Sequence, residues 1–282
     1  MAATSCGPFR IMGAYTFAAA VWWRAGQGAG GALLECRSYP SLSARRAAIT
    51  VELNDLVRVI AIYALPVIFA ITLHEAAHGY VAKHFGDMTA YLEGRVSLNP
   101  LRHIDPFGTV ALPLILLGFA KVFGGGIIFG WAKPVPVNYS NLRHPKRDML
   151  WVAAAGPLSN FAMALGWGLV LKAGLSMPGS TFALPLSLMG AAGVFFNIII
   201  MVLNLVPLPP LDGGRILVSL LPHRLAWRVA RIEPYGFLIL ILLLVTGVLG
   251  ALLWPAIGAL MAVVAGLLGL AVGDLFRLTS II

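Results

Sequence analysis

Charge is what this 282-residue sequence has least of. Only 11% of its residues are Asp, Glu, Lys or Arg, whereas 59% are hydrophobic; soluble domains carry about 25% charged residues. So little charge excludes a soluble globular domain of ordinary usage and a disordered chain. Cysteine is nearly absent: Cys6 and Cys36 are the only two, so the apolar body holds no thiol for a disulfide or a metal site. Acids are scarcer than bases, 11 against 20. The resulting net charge of +9 does not point to nucleic acid, because the basic residues fall in short segments between apolar runs, with no basic stripe interleaved with aromatics. Internal repeats and low-complexity linkers are missing too, as is any connection long enough for a separate soluble domain.

What remains is a series of apolar runs near the length needed to cross a hydrocarbon layer about 30 Å thick. Five read as helical spans, at about 56–81, 149–173, 183–206, 235–252 and 255–274. A sixth, 107–132, contains Pro113, Lys121 and the glycines Gly124, Gly125 and Gly126, which interrupt a regular helix. The fold expected is an all-α polytopic membrane protein, with about five transmembrane helices and a re-entrant or partly inserted segment at 107–132. Residues 1–50 stand apart, with five arginines, no lysine and one acid, Glu35. They read either as an Arg-rich targeting segment or, the reading we favour, as sequence upstream of a start at Val51; the organised domain is then 51–282.

The polar stretches 83–106, 133–148 and 222–234 carry three, four and three Lys or Arg, and the connections at 174–182 and around Trp254 carry none. The positive-inside rule places the first three in the cytoplasm.

Against this apolar background, "AITLHEAAHGYVAKHF" at residues 70–85 is out of place. His74 and His78, four apart on a helix of 3.6 residues per turn, return to nearly the same face and can hold one metal ion. Glu75, about 100° around the helix, can reach a metal-bound water as its general base. Ionisable groups within lipid are costly and usually mark function. Zinc needs a third protein ligand if one position stays open. The one other acid against the apolar body is Asp212, in "NLVPLPPLDGGRI" at 204–216; the competing reading is a cap for the helix that follows.

The pairing of "HEAAH" with "NLVPLPPLDGG", with "AAAGPLSNF" at 153–161 between them, resembles the site-2 protease family of intramembrane zinc metalloproteases over about residues 52–276. The resemblance implies one Zn2+ held by His74, His78 and Asp212, Glu75 as the catalytic glutamate, and Asn204 near the scissile carbonyl. It implies a transmembrane protein as substrate and the lipid bilayer as setting; the basic segments put the site toward the cytoplasmic side of the cell membrane. No PDZ insertion separates 149–173 from 183–206, so the chain is most similar to the compact branch, which also carries stretches like "NPLRHIDPFGT" and "GWAKPVPVN". His103 and Asp105 in the first of these are expected to form a loop hydrogen-bond pair, with a role near the site as the alternative. Asn160 is expected to join helices, or else to approach the site. The rival class is a metal transporter or non-catalytic zinc-binding scaffold. Transporters commonly carry repeats, a dead homologue would lack Glu75, and neither feature is found here.

For the two motifs to meet, the first span and the 183–206 span must run parallel. That requires the chain to return, between residues 83 and 148, to the side it left.

Overall fold

The structure, a computed structural model, describes residues 42–103, 105–111, 115 and 133–281. Residues 1–41 and nearly all of the 107–132 segment lie outside them. Among the described residues there is no strand. Among the described residues, four helices are long and apolar enough to cross a membrane: Ile60–His84 within α1 (Leu42–His84), α3 (Pro145–Leu175), α4 (Ala183–Asn204) and α8 (Val248–Leu268). The protein is a multi-pass, all-α membrane protein. Shorter elements are α2 (Thr89–Leu92), α5 (Asp212–Leu220), α6 (His223–Ala230), α7 (Glu233–Val245) and α9 (Val272–Ile281).

One boundary differs from the sequence expectation. The last two spans do not part at Trp254; that residue and Pro255 lie within α8, and the break comes at Gly247. Gly247 takes φ +76°, a left-handed turn that glycine enters without steric cost. The first apolar segment of the pair is thereby shortened to the 13 residues of α7.

The core is an antiparallel hairpin of α3 and α4. Small residues on α4 let the backbones approach, as membrane helix interfaces favour: a side chain on Gly190 would run into the backbone of Leu171, and one on Gly193 into Trp167. Leu171, Val194, Ile198, Met261 and Val264 are buried together where α8 and α9 close over this hairpin. The other flank of α3 takes α1, again antiparallel, since His74 meets Asn160 and His78 meets Val152. Two helices antiparallel to α3 are parallel to each other, so α1 and α4 end at the same end of the bundle. The chain rejoins there after the 104–132 segment, because the Lys133 N–H donates to the His103 carbonyl at 2.9 Å.

The three basic segments gather at this end. Arg95 donates to the carbonyls of Arg102, Lys133 and Pro134, and Lys146 reaches the Leu221 carbonyl at 2.5 Å. Buried Asp87 is the hub: its carboxylate accepts from the Thr89 N–H and hydroxyl, the Asn138 N–H and Asn141 Nδ2. Burial alone would raise its pKa, but the hydrogen bonds outweigh burial and hold the carboxyl below its ordinary value of 3.8. A group depressed in this way stabilises the fold in full above its unfolded pKa of about 3.9, and the contribution is lost as pH falls toward the folded value. Asp87→Asn is therefore expected to lower the melting temperature at neutral pH, since a hydrogen bond to a charged group is worth about 1.5–3 kcal/mol. The deficit should shrink below about pH 4. Melting curves across pH check this, and a pH-independent deficit would mean that the charge on Asp87 contributes nothing.

Candidate metal centre

Three buried side chains meet beside α1, two to three turns before its end. His74 Nε2 lies 3.2 Å and His78 Nε2 3.3 Å from Asp212 Oδ2, and the two Nε2 atoms are 3.1 Å apart. Among the described residues this is the one cluster of His, Cys, Asp or Glu able to share a metal ion. The histidines come from one face of α1, as the four-residue spacing requires. Asp212 is delivered by the loop 205–211, which folds back over the first turn of α5. Gly213 and Gly214 permit this, because a Cβ on either would press into the loop backbone at Leu205–Val206 and Leu208–Pro209.

The hydrogen bonds on the far side of each ring decide what the triangle can bind. His78 Nδ1 lies 2.7 Å from the Val152 carbonyl, which can only accept, so Nδ1 carries the proton. His74 Nδ1 lies 2.5 Å from Asn160 Oδ1, and the Asn160 orientation is fixed because its Nδ2 donates to the Ala70 carbonyl at 3.2 Å. Neutral rings therefore turn the lone pairs of both Nε2 atoms toward each other and toward a carboxylate oxygen. Asp212 Oδ2 is buried without a hydrogen bond. A proton could bridge only one pair of these three acceptors, whereas a cation at the centre serves all of them. Bonds of about 2.0–2.1 Å to a tetrahedral zinc put ligand atoms about 3.3 Å apart, and the observed 3.1–3.3 Å edges match that spacing. Carbonyl partners behind metal-binding histidines are the usual device for fixing the tautomer. The residues present fit zinc.

Glu75 does not point away unpartnered. Its Oε2 accepts the Val135 N–H at 2.8 Å, which lays the 133–138 segment across α1. Val96 and Val135 pack against Gly79 one turn later, where a Cβ would come within 2.9 Å of Val96. Asn204, half-buried in the last turn of α4, donates to the Ile200 carbonyl at 3.0 Å. His103 is buried, and its Nε2 lies 2.8 Å from the Ser97 carbonyl. Asp105 accepts from the N–H groups of Phe107 and Gly108 and so caps the turn that begins there. Asn160, on α3, bonds to α1 at Ala70 and His74 and to α4 at Asn197. Sequence reasoning missed two features. Asn197, fully buried, accepts from Asn160 Nδ2 at 3.0 Å; an amide in the middle of the apolar run of α4 was the available signal. The Val152 carbonyl gives no signal, because any residue would supply it.

Two histidines four apart and a distant aspartate, closing on one point inside a multi-pass helical bundle, define a membrane metalloprotein of the H-E-x-x-H type. The family model of Peptidase family M50 matches residues 175–246. The chain is 38% identical over 199 residues to "Putative zinc metalloprotease YwhC" of Bacillus subtilis, covering 69% of this chain and 85% of that protein. It is 28% identical over 180 residues to "Putative zinc metalloprotease Rip2" of Mycolicibacterium smegmatis, 64% of each chain. No solved structure matches it. The chain belongs to peptidase family M50, and it is a zinc metalloprotease.

Proposed function

We propose that this metalloprotease hydrolyses peptide bonds within or near transmembrane segments of other membrane proteins, from a site on the cytoplasmic side of the cell membrane. The depth of the metal triangle carries the reading. His78 and His74 precede the end of the span Ile60–His84 by six and ten residues, which is about 9 and 15 Å along a helix rising 1.5 Å per residue. A peptide reaching such a site must itself enter the bilayer. The basic segments gathered at this end support the cytoplasmic side.

In this reading His74, His78 and Asp212 hold zinc, and the working domain is 51–282. When bound, zinc supplies Lewis acidity, acidifying a coordinated water and polarising the scissile carbonyl. Glu75 takes the proton from the attacking water. Its Oε2 also accepts the Val135 N–H, which holds the carboxylate in place for that step. Asn204 assists at the carbonyl by exchanging its bond to Ile200 for one to substrate. His103 and Asp105 serve the loop beside the site and not the chemistry. A substrate helix hides its carbonyls in its own hydrogen bonds, so the segment that is cut must unwind.

Purified protein in liposomes with a model transmembrane substrate tests this. Wild type should cut it, and Asp212→Ala should lose most of its zinc and all cleavage. An unfolded soluble polypeptide cut as readily as the membrane substrate would remove the intramembrane specificity. Zinc transport without cleavage would favour the transporter class.

A further inference from the structure

We propose that Asn197 is a positioning residue for the metal centre, acting on His74 through Asn160; this rests on His74 being a zinc ligand. The observation is a hydrogen-bond relay of one polarity across three helices. Asn197 Nδ2 donates to the Gly193 carbonyl at 2.8 Å, which fixes the orientation of its amide. Its Oδ1 then faces Asn160 and accepts from Nδ2 at 3.0 Å. The other Nδ2 hydrogen of Asn160 goes to the Ala70 carbonyl. Asn160 Oδ1 is thereby left for the N–H of His74 Nδ1, at 2.5 Å. Every link has its donor on one side, and the last link leaves the lone pair of His74 Nε2 toward Asp212.

A residue that only packed α3 on α4 would need no such order. The sense of the relay matters because an inverted Asn160 amide would offer N–H to His74 Nδ1. That ring would then carry its proton on Nε2 and could not ligate through it. The Ala70 carbonyl resists inversion with one of the two Nδ2 hydrogens, and Asn197 resists with the other. Both asparagines are fully buried, so losing Asn197 leaves an Asn160 N–H without a partner where none can come from water. The amide is then held by the Ala70 carbonyl alone, and its inverted orientation becomes accessible.

The test uses the whole chain in detergent, with zinc itself as probe in competition with a chelator. Asn197→Leu removes the acceptor and keeps the branching and number of side-chain heavy atoms; Asn197→Asp keeps the acceptor toward Asn160 and, protonated in this apolar setting, the donor toward Gly193. Partners behind metal ligands are worth about 10–100-fold in metal affinity. One step further out, Asn197→Leu is expected to weaken zinc about tenfold, with Asn197→Asp restoring it to near wild type. Nitrogen-15 shifts of His74 in the zinc-free protein should report the proton on Nδ1 in wild type and a mixture of tautomers in Asn197→Leu. Zinc affinity within twofold of wild type in a folded Asn197→Leu variant overturns the proposal, as does an Nε2 proton in wild type. The Asp212→Ala control separates the two readings: zinc retained there overturns the site and this proposal together, whereas zinc lost there but unchanged in Asn197→Leu overturns this proposal alone.

Discussion

Replacing Gly156 with alanine is expected to strip the protein of most of its zinc and at least about a hundredfold of its cleavage rate, the upper end of what disturbing groups behind a metal costs. Gly156 lies on α3 directly against the two imidazoles. A Cβ there would collide with His78 Nε2 and come within 2.6 Å of the Cε1 atoms of both rings. The rings have no room to give way, since each is tethered at Nδ1, His74 by Asn160 and His78 by Val152. The added methyl must therefore break a tether or open the triangle. Elsewhere an overpacked core position costs about 1–3 kcal/mol and the fold absorbs it; here the displaced atoms are the proposed zinc ligands. Gly166, exposed on the same helix with nothing within 4 Å of its would-be Cβ, is the matched control. Gly166→Ala should keep zinc and activity, and gain slightly in helix stability. Metal analysis of the two purified variants decides it: full zinc in Gly156→Ala would mean that the rings do not sit where the structure has them.

Gly156 also marks where sequence reasoning stopped. The spacing of His74 and His78 was legible because helix period alone puts them on one face. Asp212 was legible because a chain so poor in acids makes each one conspicuous. Gly156 lies at a close approach between helices, but what approaches is the pair of imidazoles, which only the pairing of α1 with α3 reveals. The second tether of the site, the Val152 carbonyl, is a backbone atom and leaves no trace in residue identity. The same limit explains the misplaced break between the last two spans: Pro255 is a visible helix breaker, yet α8 carries it, and the turn was set by a left-handed φ at Gly247 that composition does not announce. His103 Nε2 takes the Ser97 carbonyl six residues back as its partner, a backbone atom that residue identity does not announce.

Glu75→Gln should separate the chemistry from the architecture. Loss of a general base costs about a hundredfold to ten-thousandfold, whereas the glutamine differs from glutamate by one atom and leaves both histidines and Asp212 in place. Glu75 has a structural duty too, accepting the Val135 N–H at 2.8 Å and holding the 133–138 segment on α1. The glutamine carbonyl can take over that bond, so Glu75→Gln loses the base and keeps the contact, whereas Glu75→Ala loses both. The glutamine variant is therefore expected to retain zinc and the wild-type melting temperature, yet leave a transmembrane substrate uncut on the timescale of wild-type cleavage. The alanine variant should be equally inactive and should also melt lower, by the worth of a hydrogen bond, about 0.5–1.5 kcal/mol. If instead the glutamine variant melts with the alanine variant, Val135 is not held by Glu75 in the working protein. If the glutamine variant cuts at a rate near wild type, the proton goes elsewhere, and Glu75 is a strut for the 133–138 segment and nothing more.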